Sequence, residues 1–338
     1  MASTDMSPFF SIIISTRDRP ELFRTALLSV TTQTFSDKEI IVVVDGSSEG
    51  NMEAYRELGS QLKGIAFYEL DHRENGHGQS YAMNHGAHQS SGKFLCFLDD
   101  DDHWTDDHYL DSLHESLTAS ERPVDVHYSN QKAVFADGTP QTASVWIEDL
   151  IPNVRPEFNN INDSYFVDVG FLLSSNGFAH LNCSVFNRIF YNTIGKMDES
   201  IRYENDRDVF IRSIDAANVM LFSTRYISLH NIPDVKKKNN MSTVSSEIDK
   251  KLYQMRVYDK GISLGKQQQI VRFCCKAKVY ELKHATKILA NYSQYTSAAH
   301  CAKAALISGF NFRWLAYTLY LIGKSWLQPS DGSSQQHR

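Results

Sequence analysis

Three short runs constrain this chain more than any other feature. Phe10–Ser15 (FSIIIS), Glu39–Val44 (EIIVVV) and Lys93–Leu98 (KFLCFL) are apolar almost without interruption. A strand with one wet face alternates apolar and polar residues, whereas continuous runs rich in β-branched residues mark strands covered on both faces. Ile65–Leu70 supplies another strand. Helical patterns lie between them. Pro20 opens the first, through Leu22, Ala26, Leu27 and Val30, and proline suits a first helical position. A second covers Met52–Leu62, and a third runs from the glycine-bearing loop Glu74–Gly78 to about Gln89. This alternation predicts an α/β fold with a Rossmann-like, mostly parallel central sheet flanked by helices. Ligands of such open sheets sit beyond the carboxyl ends of the strands. Asp45 closes the second run and Asp99-Asp100-Asp101-Asp102 close the last, so both should meet in one crevice.

Beyond residue 120 the pattern is mixed. Val124–Ser129 and Lys132–Ala136 read as short strands, and a polar helix begins near Asp206. Pro233–Ser246, with Lys236-Lys237-Lys238, reads as a polar loop, and the chain is helical from Glu247. The expected organisation is an α/β domain over residues 1–246, a C-terminal helical region over 247–328 and a disordered tail over 329–338. The most apolar stretch, Ala304–Leu327, is interrupted by Asn311 and Arg313 and falls short of the roughly 20 residues of a membrane span. It reads as a packed helix, although Trp314, Tyr317, Tyr320, Lys324 and Trp326 also suit a helix lying on a membrane surface.

A net charge of −6 argues against a nucleic-acid partner, which selects for a basic face. The five cysteines are scattered and odd in number, which fits a reducing, cytoplasmic setting better than a disulfide framework. Met1–Ser7 is polar and the apolar run after it is too short for a secretory signal. The expected location is therefore cytoplasmic, with the C-terminal helices available for peripheral contact at the inner face of a membrane.

Four consecutive aspartates after a buried strand repel one another and resist ionisation unless something positive lies among them. A solvated turn capping the helix near Asp106 would need only one. Four point to a hard divalent cation, Mn²⁺ or Mg²⁺, which takes oxygen ligands and is often shared with substrate phosphates. The turn after the first strand, Ser15-Thr16-Arg17-Asp18-Arg19-Pro20, carries no GxGxxG, and no GxxxxGK[ST] occurs, which weakens dehydrogenase and P-loop readings. In Tyr203–Arg212 (YENDRDVFIR) an acidic first helical turn is favourable with the helix dipole, and an acid there that faced the crevice would serve as a general base.

Taken in order, FSIIISTRDRPELFRTALLSVTTQTF, EIIVVVDGSSEG, ENGHGQSYAMNHGAHQSSGKFLCFLDDDDHW and GKMDESIRYENDRDVFIRS resemble family 2 glycosyltransferases of the GT-A fold, in particular bacterial enzymes of surface-polysaccharide assembly. The resemblance covers about residues 9–230. It implies that Asp206 is the catalytic base and that Asp101, with His230, ligates the metal. It implies nucleotide-sugar contacts from Thr16, Arg17, Asp45 and Asn75, and from Gly78, Asn84, Asp99 and Asp100. The expected partners are a nucleotide-sugar donor and a glycan or lipid-linked acceptor, and the expected reaction is a metal-assisted single displacement that inverts the anomeric centre.

The chain departs from the family pattern in three places. Val44 stands where the family commonly has the first of two acids, and Asn205 where it has the acid preceding the base. Met83 replaces a basic residue beside Asn84, which shifts diphosphate neutralisation to Arg17, Arg73 or the Lys236–Lys238 loop. Asp208 is the fallback base. These departures also motivate a rival reading, a non-catalytic scaffold that binds a nucleotide or glycan. A nucleotidyltransferase is a third, but it would show a glycine-rich basic loop after the first strand. Trp146, Phe171, Asn176, His180 and Asn182 are candidates for an acceptor site.

Overall fold

A computed structural model describes residues 7–62, 64–155, 157–233, 236 and 241–327. The chain divides into two compact units, Met1–Thr243 and Val244–Arg338. The proposed domain boundary at 246/247 lies three residues beyond that division.

The first unit is built on one sheet. Its strands are β1 (Phe10–Thr16), β2 (Lys38–Val44), β3 (Ile65–Glu69), β4 (Phe94–Asp99), β5 (His103–Trp104), β6 (Val126–Val134), β7 (Asn160–Ile161), β8 (Ser164–Val167), β9 (Ser184–Asn187) and β10 (Met220–Asn231). The order is β3-β2-β1-β4-β9-β6-β10-β8-β7, with β5 beside β10. The half formed by β3, β2, β1 and β4 is wholly parallel. Antiparallel β9 joins it to the parallel pair β6–β10, and β8, β7 and β5 extend the far side antiparallel.

The unbroken apolar runs have the expected cause. Every residue of β1 is buried. Its residues Phe10, Ile12 and Ile14 pack with Phe23, Leu27 and Val30 of α1 (Pro20–Thr31). On the opposite face Ile13 and Val43 approach Gly86 of α3 (Gln79–Gln89) so closely that a Cβ there would lie 2.5 Å from the Ile13 side chain. Burying one such aliphatic side chain stabilises the fold by about 1.5–3 kcal/mol. The remaining helices of this unit are α2 (Glu49–Gln61), α4 (Tyr109–Ala119), α5 (Val169–Leu172), α6 (Arg188–Thr193) and α7 (Asn205–Ala216).

Two expectations are corrected. The pair of short strands expected at 124–136 is one strand, β6. Asn130 and Gln131, which read as a break, are buried within it, and Asn130 donates to the Ser223 carbonyl at 2.7 Å where the β6–β10 register slips. Within the segment read as a loop at 233–246, Met241–Val244 form a helical turn. Lys237, Lys238 and the 329–338 tail lie outside the described residues.

In the second unit, helices Glu247–Leu264, Gln268–Asn291, Tyr295–Ser308 and Phe312–Leu327 follow in series. Leu282, Ala298, Ala302, Ala305, Trp314 and Leu321 form its core, and the Trp314 indole donates to the Ala302 carbonyl at 3.1 Å. None of the described helices is long and apolar enough to cross a membrane.

Candidate active site

The carboxyl ends of β1, β2 and β4 bring three loops together. Behind β1, Arg19 is the organising cation. Its guanidinium donates to Asp100 and, at 3.0 Å, to Asp101. Thr16 Oγ1 donates to the second Asp100 oxygen at 2.7 Å and shares a hydrogen bond with the Tyr55 hydroxyl. Asp100 is thus committed to holding the β1 loop against the β4 end. Burial pushes its pKa up to about 7, against the lowering effect of Arg19.

Asp45 anchors the loop between β3 and α3. Its two carboxylate oxygens accept the His77 and Gly78 amides at 2.8 and 2.9 Å. Arg17 donates to the Arg73 and Glu74 carbonyls of the same loop at 2.9 and 2.7 Å, and Arg202 donates to the carbonyls of exposed Asn75 and of His77. Gly76 has φ +60°, and a Cβ there would fall 2.6 Å from Asp45 Oδ2 and 2.8 Å from Arg17 Nη1. Gly76→Ala should cost about 1–3 kcal/mol. Thermal denaturation of the variant measures the effect; unchanged stability would show that the loop is not held as described.

Asn84 does not reach the crevice with a usable group. Its amide accepts from Tyr191 Oη and the Met197 amide and donates to the Met197 carbonyl and Glu199. That set satisfies the group, and it ties α3 to the segment before α7. Val44 is likewise a core residue, fully buried with Leu27 and Tyr55, so the acid missing there leaves no gap.

The other side of the crevice comes from far along the chain. Asp102, itself buried, accepts Asn182 Nδ2 at 2.6 Å, His230 Nδ1 at 2.8 Å and the Asn231 amide at 2.8 Å. Burial opposes a charge on His230, but the Asp102 carboxylate outweighs it and raises the imidazole to about 9. His180 lies beside it, with ring centres 5.4 Å apart, and Trp146 packs against both. The Asn182 amide donates to His180 Nδ1, so the proton of the neutral ring sits on Nε2. Burial, and then the nearby His230, hold His180 well below its usual range, so it is neutral. Its Nε2 is 3.7 Å from Asp99 and 3.8 Å from Asp206.

Asp206 opens α7. The preceding Glu204 takes a left-handed conformation, φ +55°, and its carboxylate is held by Arg207 at 2.6 Å. Asn205 donates to Gln79 and Ser80 of α3, which an acid in its place could not do. Burial, followed by the Glu204 charge, pushes Asp206 up to about 7. Burial and then the carboxylates of Asp102, Asp101, Asp100 and Asp206 push Asp99 well above the carboxylate range. Asp208 is buried and paired with Arg212 at 2.6 Å, two residues away from the crevice-facing position.

Among the described residues, two groups of side chains have ligand atoms within 4.8 Å of one another: Asp99, Asp101 and Asp102, and Asp102, His180 and His230. Asp101 and His230, paired by the sequence reading, fall in different groups that share Asp102. Residue-level reading did not find Arg19, Gln79 or Asn231. Gln79 donates to Asp99 at 2.5 Å and Asn231 to the Asp101 carbonyl at 2.6 Å.

A parallel half-sheet ending in an acidic crevice, joined to a mixed half that delivers an acid from a helix start, is the GT-A arrangement of nucleotide-sugar-dependent transferases. The family model of Glycosyl transferase family 2 matches residues 11–190, and the chain belongs to that family. Among curated relatives it is 30% identical over 121 residues to glycosyltransferase GlyA of Streptococcus pneumoniae, covering 34% of this chain and 16% of that protein. It is 34% identical over 96 residues to the GalNAc(5)-diNAcBac-PP-undecaprenol beta-1,3-glucosyltransferase of Campylobacter jejuni, covering 28% and 30%. The matched segments thus span about a third or less of those relatives' lengths. Among solved structures, S. aureus TarS 1–349 in complex with UDP-GlcNAc superposes with a TM-score of 0.63 at 15% identity, over 93% of this chain and 87% of that one. The mannosyltransferase PcManGT of Pyrobaculum calidifontis, in complex with GDP-Man and Mn²⁺, gives 0.54 at 14%, over 95% and 86%. At these identities the likeness establishes the fold.

Proposed function

We propose that this chain is an inverting glycosyltransferase that moves a sugar from a nucleoside diphosphate sugar to a hydroxyl of a glycan or lipid-linked acceptor. The carrying observation is that Asp206, on a helix start, faces the Asp99–Asp102 turn across a single imidazole, at 3.8 and 3.7 Å from His180 Nε2. One base facing a donor turn is the arrangement expected of a single displacement. Relatives solved with UDP-GlcNAc and GDP-Man support the donor class, and the undecaprenol-linked substrate in one relative's name supports the acceptor class.

In this reading Asp206 accepts the proton of the acceptor hydroxyl as that oxygen attacks the anomeric carbon. The neutral His180 ring lies between Asp206 and Asp99, with Nε2 at 3.8 and 3.7 Å, outside direct hydrogen-bond reach of either. Asp45 and Arg17 shape the nucleoside loop through its backbone, with Thr16, Asn75 and Gly78 around it, and Asp99 faces the ribose. Asp100 acts from behind by fixing Arg19. The oxygen donors Asp99, Asp101 and Asp102 fit a hard cation such as Mn²⁺ or Mg²⁺; Asp101 would ligate it, and His230, oriented by Asp102, would complete the site from the neighbouring group. When bound, that cation neutralises charge on the departing diphosphate. A cytoplasmic setting accords with five free cysteines.

Thermal shifts with nucleoside diphosphates, with and without Mn²⁺, test donor and metal together, because a ligand of the folded state raises the midpoint by mass action. One nucleotide should stabilise the chain, and EDTA should remove most of the shift. Asp101→Ala and His230→Ala should each abolish the metal-dependent part. An identical shift in EDTA, with no turnover of any nucleotide sugar, would instead favour the scaffold reading that Val44 and Asn205 motivated.

A further inference from the structure

The last two helices carry an apolar face that the packing of their unit does not use. Trp314, Thr318 and Leu321 of Phe312–Leu327 point into the core. The other side of the same helix exposes Phe312 (79%), Leu319, Tyr320, Trp326 (83%) and Leu327, recurring every seven residues, two turns, along one helical face. Ile307 (88%) and Phe310 extend the patch at the corner between the helices. A solvent-facing helix surface normally carries charge, and exposed apolar patches of this extent mark interaction sites.

The charges carried by the last helices have one sign. Between Glu281 and Asp331 the sequence contains no acid, but it contains Lys283, Lys287, Lys303, Arg313 and Lys324, in a chain whose net charge is −6. Lys303, Arg313 and Lys324 are exposed, and the Lys324 ammonium lies 5.9 Å from the Tyr295 and Tyr320 ring centres. A second copy meeting this face symmetrically would set these cations against their own equivalents. An anionic lipid surface complements both components, with headgroup phosphates for the cations and the acyl boundary for the aromatic side chains. The 16-residue helix is about 24 Å long, which suits lying in the interface rather than crossing it.

We infer that the outward face of Phe312–Leu327, with the corner at Ile307 and Phe310, docks on an anionic phospholipid surface. The inference does not depend on the sugar-transfer reading. Flotation of the full chain with vesicles of phosphatidylcholine alone, or mixed equally with phosphatidylglycerol, tests it. Binding should be confined to the phosphatidylglycerol vesicles and should fall steeply with added salt. Arg313→Glu/Lys324→Glu should weaken it by more than tenfold, since each cation near such a surface contributes about fivefold. Phe312→Glu/Trp326→Glu should do the same without loss of helical circular dichroism, because both side chains are exposed. Absence of binding to phosphatidylglycerol vesicles, or binding unchanged in both double variants, would overturn the inference. So would a solution dimer that Phe312→Glu/Trp326→Glu dissociates while vesicle binding persists.

Discussion

Asp206→Asn should lower kcat for sugar transfer by about 10²–10⁴-fold, the usual contribution of a positioned general base, while donor affinity changes little. Asparagine preserves the size and the polar contact with Arg207 but cannot accept the acceptor's proton. The pH profile gives an independent handle. The carboxylate is pushed up to about 7, first by burial and then by Glu204, and the base must be ionised to work. The wild-type rate should therefore rise about tenfold per pH unit below 7 and level off above it. Stability should move the other way. Because the folded value lies above that of a free aspartate, the native chain retains a proton that the unfolded chain releases. The associated stability is complete below about pH 4 and is lost as the pH rises through 7. Asp206→Asn removes this penalty, so the inactive variant should melt higher than wild type at pH 8 and near it at pH 5. Loss of activity with a lowered melting temperature at pH 8 would instead mark Asp206 as a structural residue.

The parallel half of the fold was legible because β1, β2 and β4 are buried on both faces, and such burial demands unbroken apolar runs like FSIIIS and KFLCFL. The mixed half was harder for the same physical reason in reverse. β6 hides Asn130 and Gln131 inside a sheet, and β9 is four residues long, so neither has the pattern of a strand. Asp99–Asp102 and Asp45 announce themselves at strand ends, but register alone does not assign their tasks. The distinction between Asp100, turned to Arg19 and Thr16, and Asp102, turned to His230 and Asn182, appears only when partners 80 or more residues away are in place. Asn84 shows the opposite case. Its position in the motif pointed to a ligand, whereas its four hydrogen bonds hold α3 to the approach of α7. The Arg19 side chain had a local signature that went unused, a cation in the β1 turn of a chain that must neutralise four aspartates.

Arg19→Met should destabilise the first unit by about 3–5 kcal/mol at pH 8, the usual consequence of removing one partner from a buried ion pair. Asp100 is 1% exposed and Arg19 23%, so water cannot replace the lost guanidinium at the Asp100 carboxylate. Methionine fills much of the same volume, which isolates charge from packing. The pH dependence separates this mechanism from a generic packing defect. With Arg19 present Asp100 already titrates at about 7, because burial outweighs the cation. Without it, burial and the Asp101 charge are opposed by the weaker hydrogen bonds from Thr16 and the Arg17 backbone, and the folded-state value rises further above the unfolded one. The destabilisation should therefore be largest above pH 8 and should shrink as the pH falls and Asp100 takes up its proton in the folded state. Chemical denaturation at pH 8 and pH 5 reads both quantities, and a deficit equal at the two values would contradict the electrostatic account. Arg19→Lys should fall between wild type and Arg19→Met. An ammonium restores the charge but cannot reach Asp100 and Asp101 together through separate nitrogens, as the guanidinium does. A crevice that must gather four carboxylates for a cationic or phosphorylated ligand can fold before the ligand arrives only if one such residue holds the turn. On this account the stability of the turn and its affinity for a cation should trade against each other at position 19: Arg19→Met removes the cation that competes with a divalent ion at Asp100 and Asp101, so added Mn²⁺ should restore more stability to the variant than to the wild type.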